Sequence, residues 1–303
     1  MVFPSSSGRK RAFLILSMLI FGSIGYVRRM IPLSSSVLAF ARGILGSVFL
    51  LLASGASGRR CLSGIHRKQF LLLALSGCLI GFNWMLLFEA YNHTTVAAAT
   101  LCYYMQPTFV ILLSPVLFHE SLSLRKKLCA LAAFLGMFLV SGVLETGFNQ
   151  DLTGILLGLG AGLLYAMAVI LNKFLQGMDP FGKTIIQLSF ASLSLLPGLI
   201  LSGSLNSFSL APAGVAALLI AGIVHTGIAY ALYFSGMDGL PAQSIAVISY
   251  VDPVFSLFVS AVLLHERLSL FALLGAFMIL GSALISEMES SSRSRKSARM
   301  SKP

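Results

Sequence analysis

The sequence predicts an all-α integral membrane protein in which ten transmembrane helices form two inverted five-helix repeats. Three observations predict this fold class: the composition, the distribution of basic residues and an internal repeat. Of the 303 residues, 57% are hydrophobic and only 10% are charged. Soluble domains carry about 25% charged residues. The composition therefore excludes a soluble enzyme, a disordered chain and a secreted disulfide scaffold.

Ten apolar segments with short connections account for almost the whole chain. A helix needs roughly 20 residues to cross a hydrocarbon core about 30 Å thick. The segments lie approximately at 12–31, 35–53, 69–90, 94–118, 124–143, 153–175, 184–203, 212–235, 242–264 and 270–286. The stretch 287–303 is rich in Ser, Arg and Lys, and we expect it to be a disordered, basic cytoplasmic tail that contacts anionic lipid.

The basic residues indicate how the chain is oriented. If the N-terminus is inside, 17 of the 21 Lys and Arg residues lie on the inner side and three on the outer side, while Arg42 lies within the second span. Cytoplasmic loops of membrane proteins carry such an excess. The net charge of +11 therefore indicates topology and not nucleic-acid binding. We expect a multi-pass protein of the plasma membrane, the inner membrane in bacteria, with both termini cytoplasmic.

The second half of the chain repeats the first. Residues 81–140 align without a gap on 227–286 at a constant offset of 146. The matched pairs are Gly81 with Gly227, Trp84 with Tyr230, Phe88 with Phe234, Tyr104 with Tyr250, Pro107 with Pro253, Phe109 with Phe255 and Ser114 with Ser260. A run of His-Glu-x-Leu-Ser follows at 119–123 and again at 265–269. This combination is hard to obtain by chance.

Each half contains five predicted spans, so we expect residues 1–145 to form the first repeat and 150–286 the second. Because five is odd, the second repeat enters the membrane from the opposite side, as in the inverted repeats of many transporters. Inverted repeats favour alternating access, since exchanging the conformations of the halves converts an inward-open shape into an outward-open one.

Asp252 is the most informative polar residue because it lies near the middle of the ninth span. A charged carboxylate at that depth costs roughly 2.5–3.5 kcal/mol, so it must face a polar cavity, pair with a cation or be protonated. Gln106 is its equivalent in the first half, and the two residues directly precede Pro253 and Pro107. Prolines break helices, and interrupted spans at matching positions point to a binding site. The alternative is hydrogen bonding to backbone groups that the prolines free.

Other residues at mid-span are candidates for the same transport pathway. His225 could relay protons, since an imidazole titrates near neutrality, or hydrogen-bond a neighbouring helix. Asn83, Trp84 and Tyr230 are candidates to line the cavity, with helix packing as the alternative.

A basic residue and two matched tyrosines complete the candidate pathway. Arg42 lies about 10 Å into the second span. It is a candidate to bind a substrate carboxylate, and its alternatives are pairing with Glu89 or snorkelling. Tyr104 and Tyr250, the matched tyrosines of the Tyr-x-x-Pro pattern, are further candidates.

For several other residues the sequence predicts structural roles. Acidic and hydroxyl side chains stabilise helix starts, and basic side chains snorkel to the interface. The residues placed to do so are Arg28, Arg29, Glu120, Ser123, Glu266 and Ser269. In the sixth span Gly154, Gly158 and Gly162 predict a groove that admits a neighbouring helix closely.

The two halves resemble the EamA repeat of the drug/metabolite transporter superfamily. The residues that carry the resemblance are Phe21-Gly22-Ser23, Arg42, Pro107, Pro253 and the two His-Glu-x-Leu-Ser runs. The chain departs from the family at Phe21, where Trp is usual, at the two histidines of those runs, and across 153–203. The resemblance implies a central cavity walled by spans 1–4 and 6–9, with spans 5 and 10 outside it. It also implies transport of small organic solutes, among which amino acids are prominent.

We therefore expect a secondary transporter, a permease or exporter, of small organic metabolites, most of all amino acids or related compounds. The alternatives are a polyspecific drug carrier and a nucleoside or vitamin-type carrier. An intramembrane enzyme would need paired aspartates, HExxH or GxSxG, and a sensor or subunit would need longer loops. No cofactor, metal or catalytic residue is expected. The expected partners are a small-molecule substrate and membrane lipid but no nucleic acid, with protons as a candidate coupling ion and a homodimer as a candidate assembly.

We expect a cysteine or tag at either terminus to be labelled only from the cytoplasmic side, because the excess of basic residues places both ends there. The measurement is modification by a membrane-impermeant reagent in intact cells and in inverted vesicles. Labelling of either terminus in intact cells would contradict the topology. A cysteine in place of Arg267, on the predicted outer side, is the positive control.

Overall fold

The computed structural model describes residues 6–58, 61–62, 64–118, 123–140, 144, 152–172, 174–175, 178–204, 211–237 and 248–300. These residues are helical or lie in short connections, and no strand occurs among them. Two predictions lie outside the described residues: the boundary between the halves at 145–150, and the role of Glu120 at a helix start.

Seven helices cover the described part of the first half. They are α1 (Ser6–Gly22), α2 (Ile24–Arg29), α3 (Ser35–Ala56), α4 (Arg67–His93), α5 (Val96–Tyr103), α6 (Gln106–Phe118) and α7 (Leu124–Val140). Side-chain caps fix several of these starts. Thr95 Oγ1, for example, accepts a hydrogen bond from the Ala98 N–H at 3.1 Å, and Ser123 caps α7 as predicted by accepting from the Lys126 N–H at 3.2 Å.

The described residues of the second half form six α-helices and a π-helical segment. They are α8 (Thr153–Asn172), α9 (Pro180–Leu201), α10 (Pro212–Leu219), the π-helical segment Ile220–Ile228, α11 (Ala229–Met237), α12 (Val251–Val262) and α13 (Leu270–Met300). Ser269 caps α13, also as predicted, by accepting a hydrogen bond from the Ala272 N–H at 3.1 Å.

Seven of the described helical stretches are long and apolar enough to cross a membrane. They are Gly8–Arg29, Ser35–Ala56, Arg67–His93, Val96–Leu113, Thr153–Asn172, Phe181–Leu201 and Pro212–Tyr233. Each coincides with a predicted apolar segment. Shorter helices, α7, α12 and the apolar part of α13, occupy the remaining three segments. The all-helical class is thus confirmed, while the number of ten spans and the inverted relation of the halves stay predictions.

The predicted fourth and ninth spans are interrupted where the sequence places Pro107 and Pro253. α5 ends at Tyr103 and α6 begins at Gln106, so that Pro107 lies in the first turn of α6. A turn at Tyr250 likewise precedes α12, whose third residue is Pro253. A proline is tolerated in the first turn because its missing N–H would have no partner within the helix there. Each break therefore lies just before its proline.

The two halves pack into each other. α4 of the first half lies against α8 and α9 of the second, α3 lies against α9 and the π-helical segment, and α1 lies against α11 and α12. One hydrophobic core runs through these contacts. α7 and α13 pack mainly against each other.

The end of the chain differs from the prediction. We predicted a disordered tail over 287–303, but α13 continues without a break to Met300. The Glu, Met, Ala, Arg and Lys residues of this stretch are good helix formers. Because the helix is already nucleated in its apolar part, adding such residues is favourable.

Glycines allow the closest helix contacts, as predicted for the sixth span. A Cβ on Gly158 would lie 3.0 Å from the carbonyl oxygen of Ala99, and one on Gly162 would lie 2.7 Å from that of Tyr103. On α4, a Cβ on Gly81 would collide with the carbonyl oxygen of Ala191 on α9. Such close packing replaces the hydrophobic driving force that helices lack in lipid.

We expect Gly81→Ala to lower the melting temperature of the purified protein, because the new methyl group forces α4 and α9 apart and overpacking costs about 1–3 kcal/mol. The measurement is a thermal unfolding curve in detergent. Gly198→Ala is the matched control on α9, since a Cβ there meets no atom within 4 Å. Equal melting temperatures for the two variants would contradict the close contact.

Candidate substrate cavity

A cavity of about 370 Å³ lies between the two halves. Its walls come from α1 to α6, α8, α11 and α12, so that both interrupted spans border it. The lining residues are Met18, Phe21, Gly22, Ile24, Arg42, Trp84, Leu87, Tyr91, Thr100, Tyr103, Tyr104, Gln106, Tyr165, Val169, Tyr230, Tyr233, Ser249, Asp252 and Ser256.

The lining is rich in tyrosine. Six of the eight tyrosines of the chain border the cavity, together with Phe21 and Trp84. Several rings meet edge to face or tilted: Phe21 and Tyr230 have centroids 5.2 Å apart, and Tyr103 and Tyr165 have centroids 5.6 Å apart. Tyrosine combines a large apolar face with a polar hydroxyl. The cavity can therefore enclose an apolar group and still hydrogen-bond a polar one.

The two helix breaks bring Tyr104 and Asp252 together. Tyr104 directly follows α5, Asp252 lies in the first turn of α12, and the Tyr104 hydroxyl donates a hydrogen bond to a carboxylate oxygen of Asp252. The N-terminus of a helix favours a negative charge. A hydroxyl donor and a helix start thus both stabilise a carboxylate on this wall of the cavity.

Arg42 supplies the opposite charge from α3. It is only 6% exposed, its Nε donates a hydrogen bond to Thr226 Oγ1 at 2.7 Å, and its guanidinium lies 4.3 Å from the centroid of the Trp84 ring. The ion pairs among the described residues join neither Asp252 nor Glu89 to Arg42. The cavity therefore contains a guanidinium group and a carboxyl group that no ion pair joins.

Six of the nine predicted pathway residues line the cavity: Arg42, Trp84, Tyr104, Gln106, Tyr230 and Asp252. The other three, Asn83, His225 and Tyr250, are not among the lining residues. Asn83 is fully buried between α4 and α8, where its amide donates to the Ala161 carbonyl. Tyr250 lies at the turn before α12 and is not among the lining residues.

His225 also lies outside the cavity lining. It belongs to the π-helical segment, where Nε2 lies 3.0 Å from Ser23 Oγ and Nδ1 lies 3.3 Å from the Ile220 carbonyl oxygen. A neutral imidazole carries one N–H. Because the Ser23 hydroxyl donates its single hydrogen to the Ile20 carbonyl at 2.8 Å, its oxygen accepts from the Nε2–H of His225. These contacts favour the alternative in which His225 bonds a neighbouring helix.

Several lining residues were missed by sequence reasoning. Tyr91, Tyr103, Tyr165 and Tyr233 border the cavity, and Thr226 holds Arg42. A census of tyrosines within the predicted apolar segments would have found Tyr103, Tyr165 and Tyr233, because a phenolic hydroxyl in a membrane needs a polar partner or a cavity. Tyr91 lies one residue beyond the segment 69–90. No sequence signal distinguishes Thr226 from other threonines in the spans.

Both adjacent arginines of α2 form polar contacts within the protein, whereas the sequence predicts that they snorkel to the interface. Arg28 is 7% exposed and donates to the Ile31 carbonyl at 2.9 Å and to Asn92 Oδ1 at 3.3 Å. Arg29 forms an ion pair with Glu266 at 3.0 Å. α2 is therefore attached to α4 by one arginine and to the connection between α12 and α13 by the other.

Glu266 stabilises a helix start, as predicted, but the helix is α5 of the other half. Its carboxylate accepts hydrogen bonds from the Val96 and Ala97 N–H groups at 3.1 and 3.4 Å and from the Ser260 hydroxyl. One carboxylate thus joins α2, α5 and α12 at a single end of the bundle.

A family model decides the identity of this architecture. The model of the EamA-like transporter family matches residues 11–142 and again 152–288. The chain belongs to the EamA-like transporter family. The family repeat is present twice, and the protein is a multi-pass membrane transporter and not an enzyme. Among the described residues no group of three or more His, Cys, Asp or Glu could hold a metal ion.

Similar proteins cover nearly the full length of this EamA-like transporter. "Uncharacterized transporter YxxF" of Bacillus subtilis (strain 168) is 29% identical over 91% of this chain and 90% of its own. An "Uncharacterized transporter" of Archaeoglobus fulgidus is 27% identical over 92% and 96%. A solved crystal structure has a TM-score of 0.64 at 19% identity, covers 92% of this chain and 96% of its own, and shows the fold alone.

We expect a cysteine in place of Gln106 to react with a hydrophilic thiol reagent at least about tenfold faster than one in place of Leu101, because thiol reactivity follows exposure. Gln106 lines the cavity, whereas Leu101, on the other side of the same helix break, is 1% exposed. The measurement is the rate of modification after the four native cysteines are replaced by Ala or Ser. Equal rates would favour a purely structural role for Gln106.

Proposed function

We propose that this EamA-like transporter carries amino acids or related zwitterionic metabolites through its central cavity by alternating access. The observation that carries the proposal is the separation of Asp252 and Arg42 on different walls of one aromatic cavity. A ligand with an ammonium and a carboxylate would satisfy both side chains at once.

The two charged residues suit the two ends of such a ligand. The Asp252 carboxylate accepts from an ammonium group, and a guanidinium can bind a carboxylate through two parallel N–H···O bonds. Both contacts would form in a site largely shielded from water, where charged hydrogen bonds gain strength. The tyrosine-rich lining would then enclose the side chain of the ligand.

The size of the cavity favours a small ligand. Its volume of about 370 Å³ lies near the lower end of the roughly 300–1,000 Å³ found for small-molecule sites. An amino acid or a single nucleoside fits this volume, and larger drug-like compounds fit it less well. The aromatic lining keeps a nucleoside or vitamin-type ligand as a second candidate, because rings stack on rings.

Alternating access follows if the halves form inverted repeats of five spans, ten in all. The interrupted spans place flexible joints beside the ligand, as in other transporters of this kind. The Glu266 contacts would have to break when the cavity opens at that end, the outer side if both termini are cytoplasmic. We propose the bacterial inner membrane as the location and protons as a candidate coupling ion.

The test is a binding series in which one end of the ligand is removed at a time. We expect L-phenylalanine to stabilise the purified protein, by about 2.7 kcal/mol at a hundredfold excess over its dissociation constant. Phenethylamine, which lacks the carboxylate, and 3-phenylpropionate, which lacks the ammonium, should each bind at least about tenfold more weakly, because each leaves a buried charge without a partner. The measurement is thermal unfolding in detergent.

Two variants test which side chain binds which end of the ligand. Asp252→Asn should weaken the binding of L-phenylalanine but not that of 3-phenylpropionate. Arg42→Gln should weaken the binding of L-phenylalanine but not that of phenethylamine. Stabilisation by adenosine and by none of the amino acids would favour the nucleoside-type alternative. A response to L-phenylalanine that neither variant changes would contradict the proposed site.

A further inference from the structure

We infer that Thr226 is a positioning residue that orients Arg42 towards the substrate. The π-helical segment of the second half thereby determines how an arginine of the first half binds the substrate. The consequence for the substrate rests on the proposed function, whereas the orientation of Arg42 does not.

The π-helical segment determines which way the Thr226 hydroxyl points. In a π-helix the backbone hydrogen bonds join residues five apart. The Thr226 hydroxyl follows the same spacing and donates its single hydrogen to the Ala221 carbonyl at 3.0 Å. The oxygen is left as an acceptor, and it receives the Arg42 Nε–H at 2.7 Å. The local helix geometry thus makes Thr226 an acceptor with a fixed direction.

The guanidinium of Arg42 is held by Thr226, by the Trp84 ring and by the Phe88 ring, whose centroid lies 5.6 Å away. One edge is held at Nε by Thr226, and one face lies on the Trp84 ring, 4.3 Å from its centroid. Because the guanidinium is planar, these two contacts also determine where the four N–H groups on Nη1 and Nη2 lie. Arg42 lines the cavity, and the described contacts leave these four donors to a ligand carboxylate.

The helices approach closely where Thr226 meets Arg42. Gly46 lies one turn after Arg42 on α3, and a Cβ there would collide with the methyl carbon of Thr226. The short threonine side chain can reach the guanidinium because α3 comes this near. Valine has nearly the same shape as threonine, so Thr226→Val keeps the packing on Gly46 and removes only the hydroxyl.

Without the hydroxyl, the Arg42 Nε–H would be a buried donor with no partner, which is unfavourable. The guanidinium would then turn to satisfy that donor and leave its place over Trp84. Trp84 is the single tryptophan of the chain. Its fluorescence emission therefore reports the position of Arg42 without any substrate.

The experiment compares the Trp84 emission spectrum of the ligand-free protein with that of four variants. Arg42→Gln removes the stacked cation and defines the spectrum of an unstacked Trp84. We expect Thr226→Val and Thr226→Ala to shift the emission in the same direction as Arg42→Gln, and Thr226→Ser, which keeps the hydroxyl, to match the wild type. Thr226→Ala gives a second readout if Thr226→Val is poorly folded.

The same samples test the effect on binding. Thr226→Val should weaken the binding of L-phenylalanine about tenfold, which is the scale of one charge-assisted hydrogen bond. The affinity for phenethylamine should stay unchanged, since this ligand has no carboxylate for Arg42. Thr226→Ser should restore the affinity for L-phenylalanine. If Thr226 had a purely structural role, Thr226→Val would weaken the binding of both ligands equally.

Three outcomes would overturn the inference. The first is a wild-type spectrum in both Thr226→Val and Thr226→Ala, and the second is an equal shift in Thr226→Ser. The third is an unchanged spectrum in Arg42→Gln, which would contradict the stack itself. If the emission shifts as expected but the wild type binds no amino acid, the positioning role stands and the proposed substrate class is wrong.

Discussion

Every backbone N–H and C=O inside a bilayer needs a partner within the protein, because lipid offers none. Helices meet this requirement by themselves, so a break in a helix is tolerated only where protein or a cavity surrounds it. The chain breaks the predicted fourth and ninth spans, at Tyr104 and at Tyr250, and both breaks lie beside the central cavity. The same constraint that imposes helices elsewhere thus places the irregular backbone at the site.

The charged side chains obey a related constraint. A charge at bilayer depth needs compensation, and in this protein it comes from neutral groups and not from an opposite charge. A hydroxyl and a helix start stabilise Asp252, while a hydroxyl and an aromatic face hold Arg42. Because no ion pair joins Asp252 and Arg42, both side chains are free to bind the zwitterionic ligand that we propose.

Contacts between the halves hold these groups in place. Gly81 lets α4 meet α9, and Gly46 lets α3 meet the π-helical segment. In the latter, adjacent residues reach two different parts of the first half: His225 contacts Ser23 between α1 and α2, and Thr226 contacts Arg42 on α3. A change in how the halves pack would therefore alter the cavity directly.

The sequence by itself determined the membrane class, the approximate spans, the two helix breaks and the presence of Asp252 and Arg42 at depth. Hydropathy and prolines act on the local backbone, so the spans and the helix breaks can be predicted from the linear sequence. The tertiary structure alone decided that His225 and Asn83 face other helices, and that Thr226 is the partner of Arg42. Which face of a helix meets the cavity depends on packing against helices distant in the chain, and in a span that is apolar all round no periodicity records that choice.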